Sequence, residues 1–346
     1  MSTKNSRILA LDGLRFIAIL LVLTTHAVAT FGLDWLGGGI GVDMFFVLSG
    51  YLIAGLLSKE LDQSGTINLR NFNLKRLIRL WPALLSVVVV MLLPGLVVFK
   101  SPTLFLENSL AAATYTYPIF SGLLDRTQLA YGPMWTLGLE MYFYIIFPLV
   151  LLLLTRMRFS KKTLACSMIA IGGVSATVVA VAGFLTDGNL GVFGYLRVGA
   201  LAIGVGLSLS ENTIAKFFGK KFFGTIGSLV LATAILISFK TQFLGLAFSL
   251  GALATVFLIT SIRHSESDQW LKHLMSQKQI VYIGQISYEI YLWHGVLREV
   301  MEVVFEGNGI LTIIAAYGLT MILSAVTHKA LAPLQRRMLS AWVLNK

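Results

Sequence analysis

The chain has 346 residues, of which 56% are hydrophobic and only 12% charged, about half the charge fraction of a soluble protein. That balance excludes a soluble globular protein and points to a polytopic membrane protein. The net charge of +11 does not argue for nucleic acid, because the cations sit in short segments between apolar spans, where membrane orientation calls for them. A lone cysteine, Cys166, rules out an intrachain disulfide and a cysteine metal site.

Ten apolar windows reach or approach the length that crosses a ~30 Å hydrocarbon core: 8–31, 37–57, 80–99, 133–155, 163–185, 190–210, 222–239, 243–262, 280–304 and 309–328. The first follows Lys4 and Arg7 and ends near Ala27-Val28-Ala29, which imitates a secretory signal. It is long enough to span, and Arg15 interrupts its approach, so it is read as a retained helix. The stretch 103–121 is also apolar, and charge decides against a full crossing there. With ten spans and the N-terminus inside, 21 of the 27 Lys and Arg residues face the cytoplasm. An eleventh crossing would send Arg156, Arg158, Lys161 and Lys162 outside, against the positive-inside tendency. Residues 100–131 are therefore expected to be external or re-entrant, broken by Pro102, Glu107, Pro118 and Asp125. The expectation is an all-α integral membrane protein with both termini cytoplasmic, one domain over 1–346, and no appended soluble esterase-like domain.

Arg15 and His26 stand eleven residues apart in the first window. On a helix that interval leaves only ~20° of rotation and climbs ~16 Å, so both fall on one face. Lipid tolerates neither, and the face should turn inward. Depth counted along the other spans brings Asp43, Glu140, His294, Arg298 and Arg197 to about the level of His26. Together they predict a polar cavity open to the outer face. Ser287, Tyr291, His294 and Arg298 form one stripe at helical spacing, and Thr136, Glu140 and Tyr144 form another. Each of these residues also has a plainer reading as an interhelical bond.

At the inner mouth, NFNLKRLIRLWP (71–82) places Arg76 and Arg79 one turn apart beside Lys75. Two guanidiniums at that spacing form a fork suited to phosphate oxygens, although topology alone also predicts cations there. No spacing such as HExxH implies a metal.

Five segments, in order, resemble the membrane acyltransferase family 3, which includes bacterial O-antigen acetylases: LDGLRFIAILLVLTTH (11–26), GGGIGVDMFFVLSGYLI (37–53), FNLKRLIRLWP (72–82), YGPMWTLGLEMYFY (131–144) and ISYEIYLWH (286–294). The resemblance implies a ten-helix inner-membrane enzyme that moves an acyl group, most often acetyl from acetyl-CoA, onto a carbohydrate hydroxyl. By that likeness Arg15 and His26 are its essential pair and Arg76 and Arg79 its second basic motif. Glu140, Ser287 and His294 match further family positions. The expected route has Arg76 and Arg79 holding the phosphates of acyl-CoA while the pantetheine arm passes Arg15. His26 then acts as general base or acyl relay, oriented by Asp43 or Glu140. Arg298, Tyr291 or backbone amides would stabilise the oxyanion, and Ser287 and Trp135 would line the acceptor site. The acceptor is open among lipopolysaccharide, capsule, other polysaccharides, lipid-linked sugars and macrolides, and the donor among acetyl, succinyl and longer acyl groups. The rival class is a proton-coupled transporter built on the same intramembrane His, Asp, Glu and Arg residues.

Overall fold

A computed structural model describes residues 9–32, 35, 37–99, 101–123, 129–217, 222–265 and 267–344. Lys4, Arg7, Lys100, Asp125 and Arg126 lie outside the described residues. Every regular element within them is helical. The α-helices are α1 (Leu9–Thr30), α2 (Gly38–Ser64), α3 (Leu69–Val98), α4 (Pro102–Ala113), α5 (Tyr117–Leu123), α6 (Met134–Arg156), α7 (Lys161–Leu185), α8 (Gly199–Phe217), α9 (Phe223–Ile237), α10 (Leu244–His264), α11 (Gln269–Met275), α12 (Lys278–Gln285), α13 (Ser287–Val304) and α14 (Gly309–Leu344). Short 3₁₀ turns at Leu129–Tyr131 and Gly191–Val198 lead into α6 and α8. Among the described residues, eight segments are long and apolar enough to cross a membrane, which makes the chain an all-α multi-pass membrane protein.

Three windows differ from expectation. The predicted span 222–239 is the 15-residue α9, too short to cross unaided at ~1.5 Å per residue. The window 280–304 breaks at Ile286 into α12 and α13. Just before the break, Gly284 lies so close to Asp12 that a Cβ would meet its carbonyl oxygen at 1.8 Å. The last window continues well past residue 328, so His328 is helical rather than in a loop.

The chain divides into two compact units: one holds α1, α2 and α7 to α12, the other α3 to α6, α13 and α14. In the first, α2 is the most enclosed span, with 72% of its apolar window buried. The glycine-rich run that opens α2 permits this. At Gly41 a Cβ would come within 2.2 Å of the Ala18 carbonyl of α1, the kind of backbone approach by which membrane helices associate. Helix α2 stops at Gly65, whose φ of 70° gives the left-handed turn that lets its N–H cap the Leu61 carbonyl at 2.9 Å.

In the second unit, the segment after α3 doubles back beside it. Phe105 of α4 sits against Gly95, and Trp81 Nε1 donates to the Ala113 carbonyl at 2.9 Å. Trp81 is about 25 Å along α3 from Val98, so the end of α4 reaches back to the middle of α3. Helix α3 ends at Val98 and Pro102 opens α4, Glu107 lies within α4 without breaking it, and the path reverses again at 114–116, just before Pro118 in the first turn of α5. Tyr115 takes φ 59° at this reversal, and its carbonyl accepts the Tyr142 hydroxyl at 3.0 Å.

Candidate functional site

In the first unit, α1 carries the Arg15–His26 pair on its enclosed side. At 100° per residue the two flank the line through Leu11, Ile19 and Val22, all buried, while Leu9, Leu20 and Thr24 on the opposite side are exposed. Arg15 and His26 are themselves half-buried. Arg15 Nη1 stands 3.4 Å from Asp12 Oδ1, one turn earlier, and Asp12 is 4% exposed. Asp12 was missed in the sequence reading. The signal available was a carboxylate three residues before the arginine, in the first turn, where the helix dipole favours it.

Asp43 and Arg197 form the other charged pair of this unit. Arg197 Nε reaches Oδ1 at 3.2 Å, Nη2 reaches Oδ2 at 3.1 Å, and Nη2 also donates to the Gly39 carbonyl at 2.5 Å. The guanidinium lies 4.1 Å from the centre of the Phe248 ring. Asp43, Arg197 and Phe248 line a largely apolar cleft with Ser175 and Ser249. A carboxylate held by both oxygens is poorly placed to orient an imidazole as well. Asp43 reads better as a fixed ion-pair partner than as the expected helper of His26.

The second unit gathers the remaining predicted residues on three helices. The turn Leu129–Tyr131 and Pro133 set up the start of α6. There the hydroxyls of Thr136 and Tyr291, 2.9 Å apart, both converge on the Pro133 carbonyl at 3.0 Å. Tyr291 thus ties α13 to the start of α6, which occupies the phenol expected at the oxyanion. His294, fully buried, places Nδ1 2.7 Å from the Tyr291 carbonyl. A carbonyl only accepts, so Nδ1 carries the proton and Nε2 is the basic nitrogen of the neutral ring. Arg298 is engaged on its own helix by Glu299 and, at 2.9 Å, by Glu302. Ser287 is buried at the start of α13, and Trp135 is half-buried on α6.

Glu140 belongs to a chain that leads to the arginine motif. Tyr144 donates to Glu140 Oε2 at 3.3 Å, and the Arg76 guanidinium lies 5.8 Å from the Tyr144 ring and 5.5 Å from that of Phe72. Arg79 is exposed one turn further along α3. The backbone of that turn is held from two sides: Tyr288 of α13 donates to the Leu80 carbonyl at 3.0 Å, and Gln335 of α14 to the Arg79 carbonyl at 2.9 Å. Glu289 and His328, neither given a chemical role from sequence, bridge α13 and α14 at 2.9 Å. Tyr131, fully buried, accepts from the Ser109 hydroxyl at 3.0 Å, and burial pushes its phenol up to about 12.

The residues expected at one depth therefore divide between the units. His26, Asp43 and Arg197 lie in the first, and Glu140, His294 and Arg298 in the second. Among the described residues no three His, Cys, Asp or Glu side chains gather to hold a metal ion.

The sequence pattern of the family described as Acyltransferase domain (Acyl_transf_3) matches residues 8–329. The chain is 33% identical to O-acetyltransferase OatA of Staphylococcus aureus (strain NCTC 8325 / PS 47), over 82% of this chain and 49% of that protein. A protein of S. aureus (strain COL), named provisionally as an O-acetyltransferase, is 33% identical over 84% of this chain and 50% of its own length. The chain spans about half the length of the curated relatives it matches. No solved structure matches it. On the match over nearly its whole length, the chain belongs to the acyltransferase family 3 of multi-pass membrane proteins.

Proposed function

We propose that this chain transfers an acyl group, acetyl foremost, from acyl-CoA at the cytoplasmic face to a hydroxyl of an extracytoplasmic or lipid-linked carbohydrate, as a multi-pass protein of the plasma membrane. The observation that carries the reading is the enclosed face of α1, where a guanidinium and an imidazole stand eleven residues apart in a chain of this family. The ~16 Å between them suits an extended pantetheine arm. Arg76 and Arg79 would meet the phosphates of the donor, as bidentate forks do. The relatives named as O-acetyltransferases support acetyl as the group and oxygen as the acceptor atom.

His26 acts as general base in this reading. It takes the proton of the acceptor hydroxyl as that oxygen attacks the thioester carbonyl. The tetrahedral oxyanion then collapses, the carbon–sulfur bond breaks, and the imidazolium returns the proton to the departing thiolate. Positioned donors at the oxyanion lower the barrier further. Glu140, Ser287, His294 and Trp135 are the acceptor-side candidates, with His294 Nε2 as a second base. The test is release of free CoA from acetyl-CoA by purified protein in liposomes, with and without a carbohydrate acceptor. Acceptor-dependent release together with acetylated sugar supports the reading. Flux of an unmodified solute without CoA release would replace it with transport.

A further inference from the structure

The second unit carries a third guanidinium beside the arginine motif, on a part of α14 that the family resemblance leaves without a role. Helix α14 runs on to Leu344, and Gln335 fixes its register by donating to the Arg79 carbonyl at 2.9 Å. Arg336 follows at once. Its Nε is tied to the Ala332 carbonyl of its own helix at 3.2 Å, which leaves its two Nη groups as a fork. Arg336 and Arg79 are both exposed, and no carboxylate among the described residues pairs with either. Read around the helix at 100° per residue, Arg336 stands about 100° from Gln335, whereas Arg337 stands about 200° away, on the far side.

Arg336 and Arg79 thus stand, without a carboxylate partner, on two helix segments that Gln335 joins, and neighbouring uncompensated cations attract a multiply charged anion. CoA bears a pyrophosphate and a 3′-phosphate, roughly four negative charges at neutral pH. Arg76 and Arg79 alone answer half of that. We infer that Arg336 completes a three-guanidinium phosphate site with Arg76 and Arg79, and that Arg337 stands outside it. The inference rests on the acyl-CoA reading above. An anionic lipid headgroup offers the same phosphate chemistry and is the competing source.

The experiment compares Arg336→Gln with Arg337→Gln, which remove the same charge from two faces of one helix turn. Equilibrium binding of acetyl-CoA and of 3′-dephospho-acetyl-CoA is measured for each in neutral nanodiscs, then repeated with anionic lipid. Arg336→Gln should weaken acetyl-CoA binding about tenfold, the value of one charge-assisted fork, while Arg337→Gln changes it less than twofold. Loss of the distinction between the two ligands in Arg336→Gln would assign that side chain to the 3′-phosphate. A tenfold loss for both ligands would assign it to the pyrophosphate. Equal behaviour of the two variants overturns the site. So does an Arg336 effect that appears only with anionic lipid, which would name the headgroup as ligand. If wild-type protein fails to bind acetyl-CoA at all, the donor reading itself falls, a different outcome from wild-type binding that ignores Arg336.

Discussion

The Asp43–Arg197 pair offers the sharpest test of the packing in the first unit. Asp43 is 2% exposed and the Arg197 side chain 9%, so neither charge has water to fall back on. Asp43→Asn removes the countercharge from a buried guanidinium that also donates to the Gly39 carbonyl and meets the Phe248 face. Breaking a buried pair from one side costs about 3 to 5 kcal/mol, because the surviving charge stays desolvated. Arg197→Met strands the carboxylate and should cost a similar amount. The double variant, Asp43→Asn with Arg197→Met, removes both charges and should recover more than half of the summed loss. The assay is the thermal midpoint of the detergent-solubilised protein, followed by size-exclusion of the folded fraction at fixed protein concentration. If the double variant loses as much as the two single variants added together, the charges are not coupled and the account of this pair is wrong.

Other outcomes are equally specific. Gly284→Val should destabilise the protein by about 1 to 3 kcal/mol, the range for overpacking, because the backbone of Asp12 cannot give way. An unchanged thermal midpoint would refute that close approach. Replacing Arg76 and Arg79 together with Gln should raise the KM for acetyl-CoA at least tenfold with little change in kcat, as expected for uniform binding. An unchanged KM would remove the phosphate role. Tyr131 should stay protonated at a pH where ordinary tyrosines ionise, since its phenol is raised to about 12. Its folded value exceeds the unfolded one near ~10, so its contribution to stability is complete below ~10 and is lost as pH climbs toward about 12. The 295 nm titration difference between wild type and Tyr131→Phe reads this directly.

Hydropathy made most of the spans legible, because length and apolarity are what a bilayer selects. It faltered where side chains or backbone contacts govern instead. Helix α13 carries Glu289, Arg298, Glu299 and Glu302, and just before its start Gly284 of α12 abuts the Asp12 backbone, a contact that no window average contains. Pro102 and Pro118 did mark the helix starts on either side of the breaks, where proline is tolerated, whereas the left-handed turn at Tyr115 carries no glycine or proline signal. Periodicity did place Arg15 and His26 on the enclosed side of α1, because two polar groups eleven apart have only one face to share. Depth counting could align Asp43 with His26 but could not reveal that Arg197 holds its carboxylate. That contact is 154 residues away in sequence. Likewise the stripe of α13 was visible, whereas the hydroxyl cluster on the Pro133 carbonyl and the Nδ1 proton of His294 needed coordinates.

The imidazole of α1 is the centre of the account. Single-turnover transfer from labelled acetyl-CoA, compared between wild type and His26→Ala with folding and donor affinity verified, measures it most directly. The account predicts a fall in the transfer rate of at least about 100-fold, the low end for a lost general base, with acetyl-CoA still bound. Near-normal transfer by His26→Ala would contradict it.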